Sequence, residues 1–226
     1  MTAVDDRSQT VMGRVLLLLE PFRECETLTL TELAERAGFP RSSAHRLLSQ
    51  LVEVGWLRRN GTAYRLGPKL VELGSEARRH DRMYQAAAPT MYQLRKRTGM
   101  AVQLTVLDGD DLLFLEVIGG RWAASVLCIR VGQRLPALGT VEGAALLALR
   151  DGCESTLRDR VVRGRAGERV RCVALAFEAG RQEVAALSLA GPAGRTPEGA
   201  VRDLAAAADV VISRLPTEAA LSSRLL

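Results

Sequence analysis

Residues Thr29 to Leu66 read TLTELAERAGFPRSSAHRLLSQLVEVGWLRRNGTAYRL, two short helices about a tight turn followed by a β-hairpin. Thr29 and Glu32 have the spacing of a capping box, in which each side chain takes a backbone amide that the first helical turn leaves free. Leu28 and Leu33 are placed as a hydrophobic staple across that cap, and Leu30, Leu33, Ala34 and Ala37 recur at helical spacing. Gly38 ends the helix, because glycine adopts the left-handed conformation at low cost. Pro40 is then expected at the first position of the next helix, where its missing N–H is not needed.

On that second helix Ala44, Leu47, Leu48 and Leu51 form an inward stripe. Arg41, Ser42, Ser43, His45, Arg46, Ser49 and Gln50 are left as the candidate DNA-reading set. Arginine pairs with guanine edges through two hydrogen bonds and glutamine with adenine, whereas serine hydroxyls and first-turn amides suit phosphate. A lone histidine on a helix is as often a solvated ring as a base reader, and His45 carries the least weight of the set. Asn60-Gly61 lies between two short runs and is a strong signal for a two-residue hairpin turn. Arg58, Arg59, Tyr64 and Arg65 on that hairpin complete the expected DNA surface, a winged helix-turn-helix. Residues 40 to 70 hold six basic side chains and one acidic one, so they carry the whole formal surplus of +5, the remainder of the chain being balanced. Basic composition alone is weak support, since 29 arginines against two lysines reflect a compositional bias. The order of cap, glycine turn, periodic helix and hairpin is what points to DNA.

The 226 residues, 47% hydrophobic and 25% charged, can build one large or two smaller cores. No run approaches the roughly 20 apolar residues of a membrane span, and the start MTAVDDRSQT lacks the pattern of a signal peptide, so the cytoplasm is expected. Cys25, Cys128, Cys153 and Cys172 form no Cys-x-x-Cys pair and read as reduced thiols, not a metal site. No phosphate-binding loop or His-Glu-x-x-His motif is present, and His45 and His80 are the only histidines, so no catalytic residue, cofactor or metal is assigned.

Val11, Met12, Val15, Leu16, Leu19 and Phe22 are expected to form the stripe of a third helix that completes an N-terminal domain, residues 1–67. A linker helix follows over 68–82, and then a helix from Tyr84 to Arg97 that Pro89 should interrupt. Ala101 to Leu107 and Leu112 to Ile118 flank an Asp-Gly turn as a strand pair. Further strands are expected at Ser125 to Val131, Val170 to Phe177 and Val184 to Ala190, with helices near Val141 to Leu149 and Thr196 to Arg214. Strands mixed with helices in no regular alternation indicate an α+β domain with a mainly antiparallel sheet over 83–226.

The stretches LTLTELAERAGFPRSSAHRLLSQL, YRLGPKLVELG, LPALGTVEGAALLA and CVALAF with VAALSLAGP give the chain a resemblance, over nearly its whole length, to IclR-type bacterial transcriptional regulators. The resemblance implies a winged helix-turn-helix, a linker helix and a GAF-like effector-binding domain, assembled as a homodimer or tetramer on a pseudo-palindromic operator. It also implies an effector pocket lined by Leu127 on a central strand, by Thr140, Val141, Glu142 and Gly143 at a helix start, and by Val170, Cys172 and Ser188 on the closing strands. The chain departs from the family pattern at Val161 to Glu168, where an acidic segment is usual, and at Ala190, where a second serine is common. Cys172 reads equally well as a small buried hydrophobe, and Glu142 as a carboxylate favoured by a helix N-terminus. Inside a pocket, the Glu142 charge disfavours an anionic ligand and calls for a neutral or cationic one. The alternative reading keeps DNA binding and gives the C-terminal domain a vestigial pocket, with oligomerisation as its only role.

Overall fold

Helix α1 spans Val11–Leu19 in the computed structural model, which describes residues 10–152, 161–166, 169–180, 183–193 and 199–215. The Thr10 hydroxyl caps it by accepting the Gly13 amide at 3.0 Å. The side it buries is Gly13, Val15 and Leu18, continued by Phe22 in a 3-10 turn over Glu20–Arg23. Val11, Met12 and Leu16 are exposed, which corrects the expected stripe. The run VMGRVLLLL offers an apolar residue at almost every helical angle, so periodicity alone could not choose the buried face.

A two-residue strand β1 (Leu28–Thr29) leads into α2 (Leu30–Ala37), and the capping box is formed there. The Thr29 amide donates to Glu32 Oε2 at 2.7 Å, and Thr29 Oγ1 accepts the Glu32 amide at 3.4 Å. The bonds from the Thr29 backbone and then from its hydroxyl hold the Glu32 carboxyl below the usual carboxylate range. A depressed carboxyl contributes stability above its unfolded pKa and loses it as pH falls through the folded value. Thr29→Ala is therefore expected to lower the melting temperature at neutral pH, with the deficit narrowing below about pH 4. A deficit that stays constant across this range in thermal melts contradicts the assignment.

Gly38 closes α2 at φ +69, and Pro40 is the N-cap of α3 (Arg41–Glu53), one position earlier than expected. Strands β2 (Leu57–Asn60) and β3 (Ala63–Leu66) form the hairpin, and β1 pairs with β3, giving the order β1-β3-β2. Asn60 pairs with Ala63, so the two-residue turn is Gly61-Thr62 and not Asn60-Gly61, with Gly61 at φ +59. Leu18, Leu33, Leu48 and Leu57 are fully buried at the centre of this core. Helix α4 (Pro68–His80) follows, with no buried residue over its length.

The chain divides into two compact units, 1–77 and 78–226. In the second, α5 runs unbroken over Arg82–Thr98, through Pro89. A proline inside a helix costs about 3 kcal/mol, and the burial of Met83, Ala86, Ala87, Met91 and Leu94 on either side of Pro89 offsets it. The Asp81 carboxylate caps this helix through the Tyr84 amide at 2.6 Å, so the expected linker boundary at 82 falls just inside α5.

Strands β4 (Ala101–Asp108) and β5 (Asp111–Ile118) form the predicted pair. Next come α6 (Arg121–Val126), β6 (Arg134–Pro136), α7 (Val141–Arg150), β7 (Val161–Ala166), β8 (Val170–Glu178), β9 (Val184–Pro192) and α8 (Ala200–Arg214). The sheet order is β6-β5-β4-β9-β8-β7, with every neighbour antiparallel. The strand expected over Ser125 to Val131 is not formed, because α6 occupies its start and an irregular segment the rest. Thr196, expected to open the last helix, lies outside the described residues, as does Cys153.

The two faces of this sheet differ in side-chain size. One carries Val102, Leu104, Val173, Leu175, Phe177, Leu187 and Leu189 and packs on α5 and α8. The other carries Ala101, Gln103, Thr105, Cys172, Ala174, Ala176, Ala186, Ser188 and Ala190, small or polar residues that leave little of their own volume above the strands. Helix α7 covers part of it with Ala145, Leu146 and Leu149, and α6 with its following turn covers another part.

Candidate DNA-binding surface and effector site

Burial of Ala44, Leu47, Leu48 and Leu51 turns the opposite side of α3 outward. Arg41, Ser42, His45, Arg46, Ser49 and Gln50 are exposed there, and Ser43 is half-buried. Pro40 supplies no side-chain cap and no acidic residue stands in the first turn, so the opening amides of α3 remain available to an anion. The Ser49 hydroxyl donates to the His45 carbonyl at 2.9 Å, which leaves it able only to accept.

On the hairpin, Arg58 and Arg65 are directly opposed across the strands and both are exposed. Like charges in that position repel. Among the described residues Arg41, Arg46, Arg58 and Arg65 make no ion pair, so the surface holds four uncompensated guanidinium groups. Arg59 is held differently: its Nε donates to the Gly61 carbonyl at 2.8 Å, and its guanidinium lies 5.7 Å from the centre of the Tyr64 ring. Tyr64 itself is only 2% exposed and belongs to the core. This removes it from the expected DNA contacts. Strand alternation places Tyr64 on the inner face with Leu57, and that period-two pattern was the signal available in the sequence.

In the second unit, the Thr140 hydroxyl caps α7 by accepting the Gly143 amide at 2.9 Å while donating to the Ala137 carbonyl at 2.9 Å. Its hydrogen is used locally. A Cβ on Gly143 would meet the Ala137 carbonyl oxygen at 1.9 Å, so this glycine permits a close backbone approach. Glu142, 6% exposed, points from the first turn of α7 to Ser188 Oγ at 2.8 Å. Ser188 lies on β9 opposite Gln103 of β4, and the two side chains are also 2.8 Å apart. Gln103, 1% exposed and with an unpartnered amide nitrogen, is the polar residue the sequence reading missed. Its only signal was a glutamine inside a mostly apolar strand, AVQLTVL.

Val170 and Cys172 are buried in one cluster with Ala101, Ala123 and Ala190, against which Val141 and Leu127 pack half-buried. Leu127 caps the end of α6 and is not on a central strand as expected, although it still reaches this face. The structure thus brings Leu127, Val141, Glu142, Val170, Cys172 and Ser188 to one side of the sheet, whereas Thr140 and Gly143 serve the backbone of α7. Among the described residues no group of three His, Cys, Asp or Glu is placed to hold a metal ion.

Residues 12–61 match the IclR helix-turn-helix domain, and residues 76–158 match the bacterial transcriptional regulator IclR C-terminal domain, together more than half of the chain. The chain belongs to the IclR family. Its relatives include the HTH-type transcriptional regulator XynR of Escherichia coli, 36% identical over 138 residues, 60% of this chain and 54% of that protein. KipR of Bacillus subtilis is 33% identical over 134 residues, 59% of this chain and 53% of that protein. The chain spans about half the length of the curated relatives it matches. An IclR homologue from Microbacterium hydrocarbonoxydans, solved in complex with 4-hydroxybenzoate, shares the fold with a TM-score of 0.77 at 29% identity, covering 91% of this chain and 99% of that one. IclR proteins are transcriptional regulators with a DNA-binding helix-turn-helix, not enzymes, and α2 and α3 are that element in this IclR chain. The C-terminal match ends at 158, so Val170, Cys172 and Ser188 lie beyond it. No helix among the described residues is long and apolar enough to cross a membrane.

Proposed function

We propose that this IclR chain is a sequence-specific regulator whose DNA binding is controlled by a small molecule. In this reading residues 1–67 hold the operator, 68–82 form the linker, and 83–226 bind the effector and oligomerise in a GAF-like domain, in the cytoplasm. The observation that carries DNA reading is the set of four uncompensated guanidinium groups on α3 and the hairpin, around the exposed Gln50. One winged domain offers few base contacts, so useful specificity needs two copies related by a two-fold axis. Site selection from random DNA is expected to return pseudo-palindromic sequences, and light scattering a dimer or tetramer on them. Selected sites without inverted symmetry, or a monomer on the best site, contradict this.

Effector control is supported by Gln103, whose amide is buried and half satisfied on the small-residue face of the sheet. The complex of the Microbacterium homologue with 4-hydroxybenzoate supports it as well. Within the second unit, contacts join this face of the sheet to the end of the linker helix. Gln103 pairs in register with Val117, and the neighbouring Glu116 bonds to Arg78 in the last turn of α4, with the Arg78 guanidinium 4.4 Å from the centre of the Tyr84 ring. A shift of β4 and β5 is thereby felt at the end of the linker helix. A second reading, a pocket that no longer binds and a domain that only oligomerises, is favoured by the structural use of Thr140 and Gly143. A thermal-shift screen of metabolites decides: no hit with undiminished operator binding leaves the second reading.

A further inference from the structure

Ser188 Oγ lies 2.8 Å from Gln103 Oε1 and 2.8 Å from Glu142 Oε1, and a hydroxyl has one hydrogen to donate. With Oε1 of Gln103 turned to Ser188, one of those two oxygen contacts lacks a proton. Turning the Gln103 amide end for end removes the conflict, since the exchange is decided by the hydrogen-bond network. The amide then donates to Ser188, and Ser188 donates to Glu142. In that arrangement the buried atom left without a partner is the Gln103 carbonyl oxygen, in the position where the nitrogen stands unbonded. The site therefore presents two acceptors, that carbonyl and the Glu142 carboxylate, over the central strands β4 and β9 of the small-residue face.

The small-residue face, from Ala101, Gln103 and Thr105 to Cys172, Ala174, Ala176, Ala186, Ser188 and Ala190, includes no lysine, arginine or histidine, and Trp122, Val126, Leu127 and Val141 pack against part of it. Glu142 makes no ion pair among the described residues either. A carboxylate brought here meets a like charge and acceptors with no hydrogen to give, and both effects oppose binding where water is excluded. A protonated amine meets the opposite: it neutralises Glu142 and donates to the Gln103 carbonyl.

From this geometry we infer that the effector is a small organic amine on an apolar body, and not a carboxylic acid. The inference rests on the effector reading above and names the ligand class for it. The relay through Ser188 orients both acceptors, and the apolar cover takes the body of the ligand.

Benzylamine, benzyl alcohol and benzoate share one ring and differ in the head group, and their propyl counterparts test the same head groups on an aliphatic body. Titration of the full-length protein is expected to rank amine above alcohol above carboxylate, with the amine about tenfold or more tighter than the acid. Glu142→Gln keeps the size and removes the charge, and is expected to bring amine and acid within about threefold of each other. Circular-dichroism melts confirm that this variant is folded, and if it is not, the ranking on the unaltered protein decides alone. Carboxylates binding as tightly as the amines overturn the ligand class while leaving effector control standing. No binding by any probe, with operator binding intact, overturns effector control and the ligand class together.

Discussion

Gly143→Ala is expected to destabilise the second unit by about 3 kcal/mol or more, near the upper end of what overpacking costs. An added Cβ would stand 1.9 Å from the Ala137 oxygen, 2.5 Å from the Ala137 carbonyl carbon and 2.6 Å from Thr140 Oγ1. None of these can yield cheaply. The Ala137 carbonyl accepts the Thr140 amide at 3.3 Å and the Thr140 hydroxyl at 2.9 Å, and that hydroxyl also caps α7. Moving the carbonyl thus opens the cap and shifts Glu142 away from Ser188. Gly74, on the exposed α4, is the control, because a Cβ there meets nothing within 4 Å. Gly74→Ala is expected to be neutral or stabilising by up to about 1 kcal/mol. Calorimetry of the two variants checks this, and a loss below about 1 kcal/mol for Gly143→Ala contradicts the close-approach role.

Arg46→Ala and Gln50→Ala are each expected to weaken operator binding by about 1–3 kcal/mol while changing affinity for random DNA far less. Both side chains are exposed on α3, and neither is committed to another group among the described residues. The pair Arg58 and Arg65 should behave differently. Their mutual repulsion across the hairpin is relieved by a phosphate between them, so alanine at both positions is expected to weaken operator and random DNA alike. The slope of log affinity against log salt should also fall by about two, one for each lost contact. Fluorescence anisotropy over a salt series separates the outcomes. Equal losses on both DNAs for all variants, with unchanged salt slopes, contradict the division between reading and clamping.

The DNA-binding domain was legible from neighbouring residues because its signals are local. Thr29 and Glu32 find each other at i, i+3, Gly38 takes its positive φ within its own turn, and the α3 stripe follows from one helical period. The errors there were also local ambiguities: an α1 apolar on several sides, a turn displaced by one residue, and a tyrosine assigned outward against its strand alternation. In the second unit, the apolar run near Ser125 had the composition of a strand and none of its pairing. The chain there coils over the sheet as α6, while the short β6 takes the edge beside β5.

Sequence by itself determined the helix-turn-helix, the basic hairpin and the kind of layer the second unit would form, since capping, periodicity and charge act between near neighbours. Only the tertiary structure decided which polar groups meet. Gln103 and Ser188 are 85 residues apart and Ser188 and Glu142 are 46 apart, joined because antiparallel register sets β4 beside β9 and the Thr140 cap aims the first turn of α7 at them. Each contact depends on the atom a distant segment brings to within a bond length or two, and no local pattern records that distance.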